Sequence, residues 1–223
     1  CPFRCEFCLS SLSRGVRTVP LDQLFDGARH LLSLGARQFK FIDRTFNLDY
    51  DRAAAILEFW LNEAHRGISV QFETVPDRFP PELRDLITRF PADTLRLEVG
   101  VQTYNPRVAR DISRLQDYEQ TERTLAFLKD ETRATVHADL IVGLPGETIN
   151  SFRDGFDRLF RNRPAEIQVG ILKRLPGAPI ARHDRTHGMR YSASPPYEVI
   201  ATAAMDADTI ERLKRFAKYW ELV

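Results

Sequence analysis

After its eighth residue the chain has no cysteine. Its 223 residues contain three, Cys1, Cys5 and Cys8, all within the opening stretch CPFRCEFC. An odd count of thiols with no distant partner argues against a disulfide framework. No apolar run approaches the ~20 residues that cross a bilayer, so no transmembrane segment is expected, and no signal peptide is visible. Neither sign of charge is in excess, with 32 Lys and Arg against 31 Asp and Glu. No basic surface for nucleic acid is indicated, and no acidic tail for a basic partner. Low-complexity stretches and interior linkers are missing as well. The chain therefore reads as a single domain over residues 1–223, large enough to bury a core. It also lacks an initiator methionine, so Cys1 is expected to be internal to a longer polypeptide.

What is present is an alternation of helices and strands. The segments QFKFID, SVQFET, TLRLEV, TVHADLIV and EIQVGIL read as five short strands, each separated from the next by helical periodicity. Such βαβ units imply right-handed crossovers and a parallel sheet. No G-x-G-x-x-G follows the first strand, which weakens a dinucleotide-binding version. Periodicity alone leaves a curved barrel and a flat doubly wound sheet both open. Residues from Lys173 to Pro196 look irregular, and a last helix is expected over 197–219.

The spacing CxxxCxxC has two metal readings. A zinc site would need a fourth ligand, drawn from His30, His65, His137, His183 or His187. An iron–sulfur cluster could take three thiolates and keep one iron open. Spacing alone leaves both open. More evidence comes from the ends of the strands, where parallel α/β folds keep their chemistry. Asp43, Glu73, Gln102, Asp139 and Lys173 all fall at or near that end. A carboxylate there is costly to bury without a partner, so their recurrence points to a shared site. His137 alternates with Asp139 and could face the same cavity, although a satisfied core histidine is the plainer reading. Tyr104 could line substrate space or simply pack. The polar run Arg182, His183, Asp184, Arg185 and His187 reads as a solvated loop.

These residues carry a resemblance. CPFRCEFC resembles the signature loop of the radical S-adenosylmethionine (SAM) superfamily, CxxxCx-aromatic-C, with Phe7 in the aromatic slot. LEVGVQTYNP resembles that superfamily's fourth-strand motif, and DLIVGLPGET its fifth-strand glycine motif. CLSSLSRGVR, FIDRTFN and ILKRLPGAPI resemble a subgroup whose longer members carry a cobalamin-binding domain ahead of the radical SAM domain.

The resemblance implies an α/β fold, a partial (β/α)6 TIM-like barrel of parallel strands whose first strand precedes Cys1 and is missing from this chain. It implies a [4Fe–4S] cluster on Cys1, Cys5 and Cys8, with SAM on the fourth iron. It implies radical attack on an unknown substrate, an external electron donor and a cytoplasmic location, with cobalamin only through a domain outside this chain. Phe7 would pack on adenine. Asp43, Arg44 and Thr45 occupy the place that contacts the SAM amino group. Glu73, Gln102, Arg114 and Asp139 match SAM contacts in the oxygen-independent coproporphyrinogen oxidases. Arg114 would pair with the SAM carboxylate and Asp139 with the ribose hydroxyls. Gly143 and Gly146 would let backbone approach the adenine. The competing function is a non-catalytic zinc-binding or degenerate barrel.

Two structural expectations follow. QFKFID should stand at an open edge, or beside a gap on the ~4.8 Å scale of strand spacing. The cysteine loop should be tied to the barrel only through its C-terminal end, so this chain should hold a cluster and SAM poorly.

Overall fold

Each long strand buries one face and leaves the other wet. In the computed structural model, which describes residues 1–13 and 15–222, Val70, Phe72 and Thr74 alternate with the half-exposed Gln71 and Glu73. Leu95, Leu97, Val99 and Val101 do the same on the next strand, and Val136, Ala138, Leu140 and Val142 on the one after. A flat sheet with helices on both faces would show near-continuous apolar runs instead. The alternation therefore selects a sheet with helices on its outer face alone. Five parallel strands, β1 (Gln38–Lys40), β2 (Ser69–Thr74), β3 (Leu95–Gln102), β4 (Thr135–Val142) and β5 (Glu166–Ile171), stand in sequence order and curl into a half-barrel.

The helices α1 (Leu21–Ser33), α2 (Tyr50–Glu63), α3 (Pro81–Thr88), α4 (Pro106–Asp111), α5 (Tyr118–Glu131) and α6 (Ile149–Arg161) alternate with these strands. Their starts follow from local chemistry. Asp49, Asn105, Asp117 and Thr148 each accept a backbone N–H from the first turn of the helix they precede. Pro81 and Pro106 sit where the missing N–H costs nothing. The core lies between helices and sheet, and Trp60, Phe72 and Phe90 are among its fully buried side chains. Each such residue contributes roughly 1.5–3 kcal/mol by leaving water.

The two edges of the sheet differ. On β5, the Trp220 indole N–H donates to the Ile167 carbonyl at 2.9 Å, and the Val199 N–H to the Leu172 carbonyl at 2.8 Å. Among the described residues β1 pairs only with β2, and the pairing runs on through Phe41 N–H to Gln71 O at 2.9 Å. QFKFID thus stands at an open edge, as expected. Beside it runs a groove of about 720 Å³ lined by Phe39, Phe41 and Trp60, with the exposed Val16, Val19, Leu31 and Ile42 along it. Arg14, within the quoted CLSSLSRGVR, lies outside the described residues.

The C-terminal region corrects the expectation of one helix over 197–219. Helix α7 spans Ala207–Trp220 and begins where the Asp206 side chain accepts the Thr209 N–H. Ahead of it, β6 (Arg190–Tyr191) and β7 (Val199–Ala201) form an antiparallel pair. The β-branched Val199 and Ile200 favour extended backbone, and Val199 spends its N–H on the end of β5. The stretch read as irregular also holds a short 3₁₀ helix, Pro179–His183.

Candidate functional site

The cysteine loop lies over the C-terminal ends of the strands. Its three thiols are free, Cys5 buried and Cys1 and Cys8 half-buried. All three line one cavity of about 190 Å³. The loop closes on itself through Cys8 N–H to Cys5 O at 3.1 Å. It is also held at its middle, where the Glu6 N–H donates to Ile112 O and the Glu6 carbonyl accepts from the Ile180 N–H, each at 3.0 Å. This corrects the expectation that only the loop's C-terminal end would be tied. It also corrects the reading of Arg182 and His183 as merely solvated, because both bind the Glu6 carboxylate.

The strands supply the rest of the wall. Arg44 and Thr45 follow β1, and Asn47 beyond them is buried and braces that loop. Its amide donates to Val75 O at 2.8 Å and Arg78 O at 2.6 Å, and its oxygen accepts the Val75 N–H at 2.9 Å. Arg44 in turn reaches Glu73 at the end of β2, at 3.1 Å. Thr45 Oγ1 lies 3.5 Å from Cys1 Sγ. On β3 the register slips between Gly100 and Gln102, and Gln102 takes a left-handed backbone with φ of 72°. Gly100 has no side chain to obstruct Arg114, whose guanidinium crosses to the Gly100 carbonyl, donates to Gln116 at 3.1 Å and points its remaining nitrogen at Cys5 Sγ, 3.6 Å away.

Asp139 on β4 closes the cavity. Its Oδ1 is buried and meets no hydrogen-bond donor among the described residues. Burial, with Glu98 and Glu73 adding like charge, pushes its pKa up to about 7 against the pull of Arg114.

Cys1, Cys5, Cys8, Phe7, Arg44, Thr45, Glu73, Gln102, Arg114 and Asp139 are thus brought to one cavity. Three expected residues are placed elsewhere. Asp43 lines the groove beside β1. Gly143 and Gly146 take left-handed backbone and pack against the C-terminal region, Gly143 under Val199 of β7 and Gly146 against His187. His137 faces Glu166 at 3.4 Å, away from the cavity lining, and Tyr104 is buried under the Arg158 guanidinium. Two residues escaped the sequence reading. Glu98 lines the cavity and pairs with Lys40 at 2.9 Å; its alternation with Gly100 and Gln102 on β3 was the available signal. Glu6 had no such signal beyond its place among the cysteines.

The donor set fits a cluster better than a single ion. None of the five histidines is among the residues lining the cavity, so no imidazole completes a zinc tetrahedron there. Among the described residues no three His, Cys, Asp or Glu side chains gather as ligands of one ion. Thiolates on separate corners of an iron–sulfur cube are spaced more widely than ligands around one zinc.

The sequence matches the radical SAM superfamily over residues 1–159. Among curated proteins it is 28% identical over 167 residues to the ribosomal protein uS12 methylthiotransferase RimO of Chlamydia caviae, a match covering 70% of this chain and 36% of that protein. The chain spans less than half the length of the curated relatives it matches. Among solved structures, the radical S-adenosylmethionine methyltransferase TsrM of Kitasatospora setae has a TM-score of 0.73 at 18% identity, over 88% of this chain and 40% of that one. Coproporphyrinogen III oxidase HemN of Escherichia coli has a TM-score of 0.67 at 21% identity, over 99% and 50%. Both share the half-barrel, and the superfamily match takes in the cysteine loop and every strand through β4. This chain belongs to the radical SAM superfamily.

Proposed function

We propose that this domain generates a 5′-deoxyadenosyl radical from SAM. The observation that carries this reading is the convergence of three free thiols, Arg114 and the unpartnered carboxyl of Asp139 on one cavity. Cys1, Cys5 and Cys8 would hold a [4Fe–4S] cluster. When bound and reduced, that cluster supplies the electron that splits the SAM sulfonium into methionine and the radical, which then takes a hydrogen from substrate.

The chain's own residues position and shield. Arg114 is braced by Gly100 and Gln116 and keeps N–H donors for a carboxylate, the SAM carboxylate in this reading. Asp139 supplies an acceptor for the ribose hydroxyls. Phe7 offers an apolar ring for adenine, and Arg44, Thr45, Glu73 and Gln102 fill the remaining wall against water. The electron comes from an external one-electron donor, since the chain carries a single group of cysteines. Free thiols and such a cluster suit the reducing cytoplasm. Among the described residues no helix is long and apolar enough to cross a membrane. Cobalamin, held with a [4Fe–4S] cluster in one TsrM structure, would reach this site only through a domain outside this chain.

Anaerobic reconstitution with iron and sulfide tests the reading. A brown protein that releases 5′-deoxyadenosine from SAM on reduction is expected. A colourless protein holding stoichiometric zinc would overturn it. Asp139 gives a finer test. Asp139→Asn should keep fold and cluster but weaken SAM binding by roughly 1–3 kcal/mol, as read by titration calorimetry. Because the Asp139 pKa is raised to about 7, the carboxylate is charged only above that pH. Wild-type affinity should therefore tighten between about pH 6 and about pH 8, and the Asn variant should lose that dependence. Equal affinities at both pH values in the two proteins would leave Asp139 a purely structural acid.

A further inference from the structure

Glu6 lies between the second and third cysteines, and its side chain is only 6% exposed. A buried carboxylate is costly unless paired and hydrogen-bonded, and this one is fully partnered. Ser113 Oγ donates to Oε1 at 2.6 Å, and Arg182 Nη2 lies 2.6 Å from the same oxygen. Oε2 accepts from Arg182 Nε at 2.7 Å and lies 2.8 Å from His183 Nε2. The main chain of the same residue is bonded on one side to Ile112 and on the other to Ile180. The partners come from two stretches remote in sequence, the turn after α4 and the 3₁₀ helix after β5. Arg182 also reaches the Asp111 carbonyl at 3.3 Å and so bridges those two stretches itself.

The consequences fall on the cysteines. Cys5 is the buried thiol, immediately before Glu6, and its carbonyl closes the turn to Cys8. Fixing residue 6 therefore fixes the path between two of the three thiols. The interaction is charged on both sides, so it also sets the electrostatic balance beside the cysteine loop. Removing Glu6 leaves the Arg182 cation without its counter-charge. Removing Arg182 leaves the carboxylate without it.

We infer that Glu6, clamped by Arg182, His183 and Ser113, is the positioning residue of the cluster loop. It holds the thiols in one arrangement and ties that arrangement to the segment after β5. The inference rests on the cluster reading above. It predicts effects on the thiols and on a cluster they hold, beyond a change in thermal stability. A cluster's potential follows the net charge and hydrogen bonds around it. Glu6→Gln should move the potential to more positive values and Arg182→Gln to more negative ones.

The experiment compares the wild-type chain, Glu6→Gln and Arg182→Gln after anaerobic reconstitution. Arg182 is 61% exposed, so Arg182→Gln opens no cavity in the core, and its cost is confined to the carboxylate it leaves unpaired. Thermal melting by circular dichroism checks this. Both variants should lose iron to a chelator about tenfold or more faster than wild type, the scale seen when the groups orienting metal ligands are removed. Redox titration should show the two potentials displaced in opposite directions. Iron loss equal to wild type in both variants, or potentials that stay put or move together, would overturn the inference. A wild-type chain that takes up no cluster would sink the proposed function instead. The clamp is then read on the metal-free protein, where Glu6→Gln should expose Cys5 to iodoacetamide about tenfold or more faster than wild type. Unchanged Cys5 labelling there would overturn the clamp as well.

Discussion

Cys5→Ala is expected to yield a folded chain that releases no 5′-deoxyadenosine. The thiol is small and 8% exposed, so a methyl group in its place leaves little empty volume. Its chemical role has no substitute among the residues lining the cavity. The other two thiols are Cys1 and Cys8, and no histidine reaches the space to stand in. Arg114, which now points a guanidinium nitrogen at Cys5 Sγ, would lose that partner while keeping Gly100 and Gln116. Iron and sulfide assays after reconstitution, with chromatography of the nucleoside product, measure the effect. Cys1→Ala and Cys8→Ala should behave alike. Wild-type product from all three variants would mean that the thiols serve some other purpose.

The second large effect concerns Glu147 and stability. This acid ends the DLIVGLPGE stretch and is 1% exposed. One oxygen accepts from Thr103 Oγ1 at 2.7 Å and from Ser151 Oγ at 3.2 Å; the other is buried with no donor among the described residues. Burial outweighs those two hydroxyls and raises its pKa to about 7. An acid with a raised folded-state pKa binds its proton more tightly folded than unfolded. Its contribution is most favourable below the unfolded value of 4.5 and is lost as pH climbs to about 7. The loss over that window is about 3 kcal/mol. Denaturant unfolding from about pH 5 to about pH 8 covers most of that window and should show a decline roughly 2–3 kcal/mol smaller in Glu147→Gln than in wild type. Parallel pH profiles for the two proteins would show that Glu147 stays charged in the fold.

Much of this was legible because it is local. The alternation in SVQFET and TVHADLIV follows from a two-residue strand period and sets Glu73 and Asp139 on the face opposite Phe72 and Leu140; the sequence pointed to both acids through their places near the strand ends. The same rule applied to Glu98, which alternates with Gly100 and Gln102, and would have found it. The start of α7 was legible too in principle, since Asp206 and Thr209 form a helix-capping pair; rough periodicity through Val199 and Ile200 masked it. The Glu6 clamp was not legible. It joins residues 176 and 177 positions apart, and neither a lone acid among cysteines nor a polar loop names its partner. The glycines misled for a related reason. Gly143 does need its left-handed backbone, yet Val199, supplied from far along the chain, is what lies over it.

The open edge at β1 constrains any strand that joins it. A strand of three residues offers only a short ladder of main-chain bonds. The firmer hold would come from the groove alongside, where Phe39, Phe41 and Trp60 wait for apolar side chains. Side chains of a newcomer alternate between the helix-facing and lumen-facing sides. Sliding it by two residues returns the same face to the groove, whereas sliding it by one turns its apolar set toward the wet lumen. Register at this seam is therefore chosen in two-residue steps by the shape of the groove.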